Sequence, residues 1–523
     1  MRVVETPEKF IEEISSKKHL VIYGAGWAGK MVCKYMKAKG MLVAAFTVTG
    51  AVEAGQTVLD VPVYCLNDVL ELFSGRELEL ILAVTKQNRP SMEDELKRRG
   101  IGCYIILSDA LLYVIAREER KLIAREAQVV KKANDAEKGD EKVGKTVGYV
   151  VPGYLDTDYA EERLIIDKIK GTAYVAMPKE TILLPCIGTR YEKNLELHRK
   201  LTEACYCPEE YVPEVGIIHT FNAVCKTDKP WCASFETSIP RVWVETQEEA
   251  DYFMQLVDCM KKLNCKKLYA LCRNAYEIQE SILLSRLVPE DVELIMKKTE
   301  VLHPPQKVLV SEREFEQKQN TEKIHFIFIG GSFFIKGGRE LVQTLSEFEN
   351  LYDFKLTLIS SLIYDDYLTH TSYDEMVEYR DIIKNKKWID YYEVLPNEKV
   401  LEKCKQANVG LLPSIADTYG YCVLEMQAAG CPVVTTNVRA FPETNNEKCG
   451  WICSLPINEL GFCTVRDGKK WSPILREELR RCFQEIFEYP ETIQEKGRRA
   501  LEKIREMHDP YRYQEKLKRD LSI

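Results

Sequence analysis

Two carboxylates, Asp417 and Glu425, flank a glycine within the stretch from Leu411 to Val434. A strand is predicted to end at Pro413-Ser414, and Gly420 is predicted to open a helix. The first N–H groups of a helix have no internal partner and carry the positive end of its dipole, so they bind a diphosphate readily. Glu425, about one and a half turns further on, could accept hydrogen bonds from two hydroxyls of a ribose. Asp417 would face whatever is attached to the diphosphate.

A lysine follows a glycine-rich turn in a second stretch, from Phe328 to Gly338. A strand is predicted to run into the turn Gly330-Gly331-Ser332, and Lys336 precedes the next predicted helix. When a group is transferred away from a nucleoside diphosphate, negative charge grows on the diphosphate. A preorganised ammonium in a poorly hydrated cleft stabilises that charge, which is the role predicted for Lys336. The alternative is a loop lysine in solvent.

The stretch around Asp417 and Glu425 resembles the donor-binding signature of retaining glycosyltransferases of family 4, the group 1 glycosyltransferases. In that family two acids are separated by seven other residues, as Asp417 and Glu425 are. The first acid contacts the donor sugar, the second contacts the ribose, and the lysine of a strand–Gly–Lys-Gly motif binds the pyrophosphate. The resemblance implies catalytic roles for Lys336, Asp417 and Glu425. It implies donor contacts from Gly330, Gly331, Ser332, Lys336, Gly420, Tyr421, Cys422 and Glu425.

Two positions of the donor-binding stretches depart from the pattern of that family. Asp417 stands where Glu is usual, which leaves the sugar preference open. Gly331 stands where an Arg is usual, so one of the two expected cations is missing. Further along, Ala440-Phe441-Pro442-Glu443 is similar to a loop of the family. The resemblance covers residues 306–455 well and residues 210–303 loosely.

Three residues of the preceding part are predicted to contact the sugar or the acceptor: His219, Glu236 and Arg273. The first lobe of the family often carries a His at a strand end, and Glu236 takes that place here, which is a departure. His219 belongs to the preceding strand end and is equally well explained as a structural histidine. Arg273 follows another predicted strand and could bind the acceptor or cap a helix.

A glycine motif near the N-terminus, Gly24-Ala25-Gly26-Trp27-Ala28-Gly29, follows a predicted strand. It matches the G-x-G-x-x-G pattern of dinucleotide-binding loops. An NAD site would also need an acid at the end of the next strand to bind the ribose, and Val48-Thr49 supply none. The unit resembles the small Rossmann-like domains attached to bacterial sugar acyltransferases and polysaccharide enzymes. Gly24, Gly26 and Gly29 therefore form either a nucleotide loop or part of a scaffold or docking module.

The elements that must position these residues divide the chain into five parts. Predicted strands alternate with predicted helices, which indicates parallel sheets; in the last sheet the strands are predicted at 325–329, 355–359, 409–412 and 433–436. The expected class is α/β, and the resemblance implies a GT-B architecture of two facing Rossmann-like lobes preceded by another Rossmann-like domain. We predict an N-terminal domain at 1–116, a charged helix or linker at 117–146, an acceptor lobe at 147–305, a donor lobe at 306–490 and C-terminal helices at 491–523.

The bulk composition narrows the classes of function. The net charge of −8 and the pI near 5.7 argue against a general nucleic-acid binder, which needs a basic face. The N-terminus lacks the apolar stretch of a signal peptide, and no run approaches the roughly 20 apolar residues of a membrane helix. Several of the 18 cysteines lie in apolar segments and none belongs to a C-x-x-C pair, which indicates reduced thiols. A cytoplasmic protein is expected, with at most peripheral contact at the inner face of the membrane.

These features predict a glycosyltransferase of the hexosyltransferase type, which uses a nucleotide-sugar donor and retains the anomeric configuration. The expected partners are the nucleotide sugar and a saccharide or lipid-linked acceptor, in bacterial surface polysaccharide or glycoconjugate synthesis. With seven unpaired histidines, no metal site is expected, and no cofactor besides the donor substrate. The base, the sugar, the acceptor, the linkage and the oligomeric state stay open.

Two other classes of function stay open as alternatives. One is a nucleotide-dependent oxidoreductase centred on the glycine motif Gly24–Gly29. The other is a catalytically silent protein that binds nucleotide sugars. This alternative stays open because Gly331 replaces the usual Arg and because Glu236 is unusual at its position.

Overall fold

The protein is described from a computed structural model. The described residues are 2–4, 6–15, 17, 19–50, 52, 55–74, 78–84, 89–107, 111–112, 115, 146–150, 159–177, 181–184, 200–206, 215–242, 244, 246–319, 323–363, 368–465 and 468–522. The stretch predicted as a charged linker, 117–146, lies outside the described residues except for Thr146.

The N-terminal domain is a largely parallel sheet with helices on both faces. Its strands are β1 (Arg2–Val4), β2 (His19–Tyr23), β3 (Val43–Val48), β4 (Thr57–Val58), β5 (Val61–Cys65), β6 (Leu78–Leu82) and β7 (Ile105–Leu107). Its helices are α1 (Pro7–Ser15), α2 (Trp27–Ala38), α3 (Leu66–Leu72) and α4 (Arg89–Arg98). The strands lie in the order β1-β7-β6-β2-β3-β5-β4, and among the described strands of this domain β4 alone runs antiparallel to its neighbour. Each face of the sheet buries an apolar cluster.

The middle lobe contains a second parallel sheet. Its strands are β8 (Thr146–Val150), β9 (Tyr174–Met177), β10 (Thr181–Leu184), β11 (Lys200–Tyr206), β12 (Val215–Phe221), β13 (Val224–Lys226), β14 (Trp231–Phe235), β15 (Cys265–Ala270) and β16 (Thr299–Val301). Its helices are α5 (Tyr159–Leu164), α6 (Gln247–Lys261), α7 (Arg273–Leu284) and α8 (Pro289–Met296). The main sheet has the order β16-β15-β14-β12-β8-β9, and β10, β11 and β13 form a small sheet of their own. Helix α6 begins at a capping box of Thr246 and Glu249, which satisfies two N–H groups of its first turn.

The C-terminal lobe contains a third parallel sheet, with the order β19-β18-β17-β20-β21-β22. Its strands are β17 (Ile324–Ile329), β18 (Phe354–Ile359), β19 (Ile389–Tyr392), β20 (Val409–Leu412), β21 (Val433–Thr436) and β22 (Gly450–Cys453). The helices that follow the middle lobe are α9 (Glu312–Gln319), α10 (Gly338–Phe348), α11 (Tyr373–Asn385), α12 (Asn397–Gln406), α13 (Tyr421–Ala428), α14 (Phe441–Thr444), α15 (Gly468–Glu488), α16 (Glu491–Met507) and α17 (Pro510–Leu521). Most strand residues are apolar and buried, as expected for a parallel sheet covered on both faces.

The middle and C-terminal lobes share buried surface. Tyr419 and Leu424 of the C-terminal lobe belong to the same apolar cluster as Phe235 and Leu271 of the middle lobe. The last helix, α17, returns to the middle lobe, where Tyr513 packs in a cluster with residues of β12 and β15. The two lobes therefore face each other through segments that follow the carboxyl ends of their strands.

The fold class predicted from the alternation of strands and helices is confirmed: the chain is α/β, with Rossmann-like lobes built on parallel sheets. The strands predicted in the last sheet lie within one residue of β17, β18, β20 and β21. Among the described helices, none combines the length and the apolar composition needed to cross a membrane.

Candidate active site

The predicted lysine and the first predicted acid lie where the strand order of the C-terminal sheet reverses. Strands β18 and β19 are added on one side of β17, whereas β20 begins the other side. Ligand sites of such sheets form outside the carboxyl ends of the strands at this reversal. Lys336 follows β17 and Asp417 follows β20, so both are held over the same crevice.

Close backbone packing fixes the turn that carries Lys336. Gly337 precedes α10 with a φ of 74°, and a Cβ atom there would lie 2.3 Å from the carbonyl oxygen of Pro413. Glycine is needed for both the left-handed backbone and the close approach. The N–H of Ile415 donates to the carbonyl of Ile335 at 3.0 Å. The lysine turn is therefore pinned to the segment that leads to Asp417.

Lys336 and Asp417 form an ion pair. Lys336 Nζ donates to Asp417 Oδ2 at 2.5 Å, and the two side chains are 22% and 9% exposed. Burial alone lowers the pKa of Lys336, but the charge and hydrogen bond of Asp417 outweigh burial and raise this pKa above its ordinary value. Lys336 is thus a fixed ammonium in a poorly hydrated place, which is the arrangement that stabilises growing negative charge.

Helix α13 begins directly beyond Asp417. Gly420 precedes it with a φ of 78°, and a Cβ atom there would lie 2.4 Å from Cε1 of Phe441. The first N–H groups of this helix, on Tyr421 and Cys422, point away from the helix body and favour an anion together with the dipole. The Cys422 thiol donates to the carbonyl of Ile329 at 3.5 Å, which ties the helix start to the end of β17.

Glu425, in the same helix, is held by an arginine of the other lobe. Arg163 of α5 donates from Nη1 to Glu425 Oε1 at 2.7 Å and from Nη2 to the side chain of Gln306. Its guanidinium lies 4.9 Å from the centre of the Tyr421 ring. The side chains of Arg163 and Glu425 are 11% and 5% exposed, so this is a buried ion pair between the lobes. The carboxylate predicted to hold a ribose thus has a cation partner that the sequence did not indicate.

The glycine turn after β17 borders the same crevice. A Cβ atom on Gly330 would lie 3.0 Å from Cγ of Lys336, whereas one on Gly331 would meet nothing nearer than Ser361 Oγ at 3.4 Å. The carbonyl of Ser332 accepts the N–H of Lys336 at 3.0 Å. Gly330 and Ser332 therefore shape the lysine turn, and Gly331 is exposed with space for a side chain.

Glu236 brings a carboxylate of the middle lobe within electrostatic reach of the crevice. It follows β14, and its Oε1 accepts hydrogen bonds from Arg241 Nη2 at 3.0 Å and from Asn222 Nδ2 at 3.3 Å. After burial and Asp417, the charge of Glu236 is among those that act on the pKa of Lys336. Glu236 is thus placed opposite the donor segment, with its own cation partner.

His219 is not brought to the crevice. It is 1% exposed, and its Nε2 lies 2.9 Å from Ser234 Oγ. Ile217, two residues earlier on the same strand, packs with Tyr513 of α17, and alternate residues of a strand share a face. Burial lowers the pKa of His219 to about 3, so the ring is neutral. Of the two interpretations of His219, the geometry matches the structural one.

Arg273 begins α7 with its side chain in solvent. This side chain is 60% exposed and pairs with Glu277 at 3.0 Å. The backbone N–H groups of Arg273 and Asn274 donate to the carboxylate of Glu443 at 2.7 Å each. Glu443, in the short helix α14, therefore caps a helix of the opposite lobe, and Arg273 contributes its backbone rather than its guanidinium to this contact.

Arg439, which sequence reasoning missed, joins the lobes at the same place. Its φ of 50° is unusual for a residue other than glycine. Its Nε donates to Asn274 Oδ1 at 2.9 Å and its Nη2 to Thr237 Oγ1 at 3.0 Å. The contacts of Arg439 and Arg163 span 165 and 262 positions of the chain, so no local pattern marks either residue.

The three glycines of the N-terminal motif have distinct surroundings between β2 and α2. Gly24 has a φ of 115°, and a Cβ atom on Gly29 would lie 1.8 Å from the Gly24 carbonyl oxygen. Around Gly26 no atom lies within 4 Å of the Cβ position. A tight turn, an open approach and close helix packing are the roles of the glycines in dinucleotide-binding loops. A nucleotide loop and a scaffold both satisfy this geometry.

Two parallel α/β lobes that face each other across a cleft, with a partly buried lysine, a helix N-terminus and acids at one strand-order reversal, are the arrangement of the GT-B class of sugar transferases. Within the described residues, no group of three or more His, Cys, Asp or Glu side chains is placed to hold a metal ion. The family of glycosyl transferases group 1 matches residues 319–459, the segment that carries Lys336, Asp417 and Glu425. This match of residues 319–459 confirms the predicted enzyme class, a glycosyltransferase.

Similar folds occur among solved structures, whereas no curated protein matches the chain. A sucrose-phosphate synthase from Thermosynechococcus elongatus is 11% identical with a TM-score of 0.46, over 72% of this chain and 98% of that one. A UDP-forming alpha,alpha-trehalose-phosphate synthase from Burkholderia xenovorans is 10% identical with a TM-score of 0.45, over 72% and 99%. A glycosyltransferase from Rickettsia africae is 12% identical with a TM-score of 0.41, over 97% and 98%. Likenesses this distant carry no information on the donor, the sugar or the acceptor.

Proposed function

We propose that this protein is a retaining glycosyltransferase of the family 4 type, which moves a sugar from a nucleotide-sugar donor to a saccharide, a glycolipid or another acceptor. The observation that carries the proposal is the ion pair of Lys336 and Asp417 beside the start of the helix that bears Glu425. One cation for the leaving group, one helix N-terminus and two acids for polyols are thereby collected at one crevice.

Each of these groups has one role in the proposed complex. The diphosphate lies at the N–H groups that follow Gly420 and beside Lys336. Glu425 accepts hydrogen bonds from the ribose hydroxyls, and Asp417 accepts them from hydroxyls of the donor sugar. Lys336 and the helix start neutralise the diphosphate in this proposal, which therefore needs no metal ion.

The proposed reaction exchanges one bond at the anomeric carbon. A bond forms between the acceptor oxygen and C1 of the sugar, and the bond between C1 and the β-phosphate oxygen breaks. The proton of the acceptor hydroxyl passes to the leaving phosphate oxygen. Because the acceptor arrives on the face that the diphosphate leaves, the configuration is retained and no protein carboxylate is needed as base.

The setting of this reaction follows from the sequence resemblance. The transferred sugar is a hexose, and the product belongs to bacterial surface polysaccharide or glycoconjugate synthesis. The protein then works in the cytoplasm, with peripheral contact at the inner face of the membrane where the acceptor is lipid-linked. This part of the proposal is an analogy at the level of the family.

A donor screen tests the proposal. UDP-, GDP-, ADP- and dTDP-hexoses are compared by thermal shift, and hydrolysis and transfer of the stabilising donor are then measured in EDTA.

We expect Lys336→Met to lower kcat about 100-fold, roughly 3 kcal/mol of transition-state stabilisation, because the growing charge loses its ammonium. Lys323→Met is the matched control, since Lys323 pairs with Asp353 at the opposite end of β17.

The screen also separates the other classes of function. Binding of a donor without hydrolysis or transfer identifies a catalytically silent nucleotide-sugar protein. Saturable binding of NAD or NADP, together with failure of every nucleotide sugar, favours an oxidoreductase at Gly24–Gly29 instead. Full turnover of the Lys336→Met variant removes Lys336 from the diphosphate site.

A further inference from the structure

Lys336 and Arg163 are the two cations that pair with the acids of the donor segment at the start of α13. A nucleoside diphosphate leaves with roughly three negative charges, since a terminal phosphate loses its second proton near pH 6. In the crevice, Lys336 is matched by Asp417, and Glu425 adds a second carboxylate. These three side chains alone would oppose a polyanion. Arg163 brings the group to neutrality and leaves the helix N-terminus to attract the diphosphate.

Arg163 is placed where it can reach that anion. It belongs to α5, which follows β8, and the order of the middle sheet reverses between β8 and β12. Its guanidinium therefore enters the cleft from the corresponding strand-order reversal of the opposite lobe. There it lies 4.9 Å from the ring centre of Tyr421, the first residue of α13.

The second residue of α13 lies within reach of both cations. Burial, and then the charge of Asp417, raise the pKa of the Cys422 thiol to about 12, while Lys336 and Arg163 both act to lower it. The backbone N–H of Cys422 is one of the groups assigned to the diphosphate. An anion bound there is therefore within the fields of Lys336 and Arg163 together.

We propose that Arg163 is a second cation of the donor site, which exchanges its partner when the donor binds. The guanidinium turns from Glu425 to the diphosphate, and the ribose hydroxyls of the donor then take its place at Glu425. A planar guanidinium matches two phosphate oxygens at once, which an ammonium cannot do. The inference rests on the proposed function and adds to it: the middle lobe supplies a charge that Gly331 of the C-terminal lobe does not supply.

Two other roles of Arg163 give different results. If Arg163 only orients Glu425, its loss weakens ribose binding and leaves phosphate binding unchanged. If Arg163 only blocks Glu425, its loss strengthens the binding of nucleotides. Inorganic pyrophosphate separates these roles because it contains the diphosphate without ribose or base.

The experiment is calorimetric titration of inorganic pyrophosphate into the full-length protein. We expect Arg163→Met to weaken pyrophosphate binding at least tenfold and Arg163→Lys to weaken it less. The double variant Arg163→Met/Glu425→Gln should also bind weakly, and it keeps no orphaned carboxylate that could unfold the lobe. Arg286→Met is the matched control, since Arg286 is an arginine of the middle lobe that lies over the Phe253 ring at 4.9 Å. Its pyrophosphate affinity should equal that of the unmodified protein.

Unchanged or tighter pyrophosphate binding in the double variant would overturn the inference, whatever the single variant shows, because the single variant also leaves the charge of Glu425 uncompensated. If Lys336→Met abolishes pyrophosphate binding while the Arg163 variants keep it, the proposed function stands and the role of Arg163 falls. If the unmodified protein binds neither pyrophosphate nor any nucleotide sugar of the screen, both proposals fall.

Discussion

At the level of single residues, each acid of the donor segment is matched with a cation from another part of the chain. Lys336 holds Asp417 within the C-terminal lobe, and Arg163 holds Glu425 across the cleft. Leaving one member of a buried pair without its partner costs about 3–5 kcal/mol. A ligand that separates such pairs must therefore provide hydroxyls for the acids and negative charge for the cations. A nucleotide sugar provides both.

The division of labour between the two acids can be tested by substituting each in turn. Glu425→Gln should weaken binding of the free nucleoside of the active donor, because the ribose contact is all that the nucleoside shares with this side chain. Asp417→Asn should leave nucleoside binding unchanged and weaken the intact donor or its turnover. Each lost charge-assisted hydrogen bond should cost roughly 1.5–3 kcal/mol. Calorimetric titration of both variants measures these affinities, and equal losses of nucleoside affinity would contradict separate roles for the two acids.

The residues that the sequence identified and those it missed differ in how far apart their contacts lie. Asp417, Gly420 and Glu425 belong to one strand–loop–helix segment, where local spacing determines geometry, so their grouping could be predicted. Arg163 donates to Glu425 and Arg439 donates to Asn274, each more than 160 positions away along the chain. Their positions depend on how two lobes dock, which local periodicity does not encode. The two interpretations of His219 stayed open for a related reason, because its strand end was identifiable but the face covered by α17 was not.

At the level of elements, the site depends on loops that glycines hold against neighbouring strands and rings. Gly337 brings the Lys336 turn against the end of β20, and Gly420 brings the start of α13 against Phe441. Both residues have left-handed backbones, at φ of 74° and 78°. The ammonium and the helix start are therefore positioned by backbone geometry before any ligand contact is made.

Alanine substitutions at Gly420 and Gly331 test whether the left-handed backbone of Gly420 positions the start of α13. Gly420→Ala should cost about 1–3 kcal/mol for the left-handed backbone, in addition to the overlap with Phe441, and should weaken pyrophosphate binding. Gly331→Ala is the matched control, because its φ is not left-handed and its nearest neighbour would be 3.4 Å away; a change within about 0.5 kcal/mol is expected there. Urea unfolding followed by tryptophan fluorescence reports on this lobe, whose core contains Trp451 and Trp471. Equal effects of the two substitutions would show that the φ of Gly420 does not matter.

At the level of the whole molecule, the apolar clusters divide the chain into one part with a core of its own and two lobes that share a core. The two apolar clusters of the N-terminal domain draw their described members only from Val4 to Ile115. The middle and C-terminal lobes share a cluster instead, and the end of the chain belongs to the middle lobe through α17. The chain thus contains one part with its own core and a pair of lobes that is completed by its last helix.

Two truncations test this division. Removal of residues 1–130 should leave a protein that still binds and turns over the donor, because the N-terminal domain has its own core and contributes no described residue to the clusters of the lobes.

Removal of residues 509–523 should unfold or strongly destabilise the middle lobe. That deletion uncovers the face of β12 and β15 on which Tyr513, Leu517 and Leu521 are buried, each contributing about 1.5–3 kcal/mol. Calorimetric melting and pyrophosphate titration of both truncated proteins provide the measurement. Loss of ligand binding after removal of residues 1–130 would place the N-terminal domain in the active site. An unchanged melting temperature after removal of residues 509–523 would mean that α17 does not complete the core of the middle lobe.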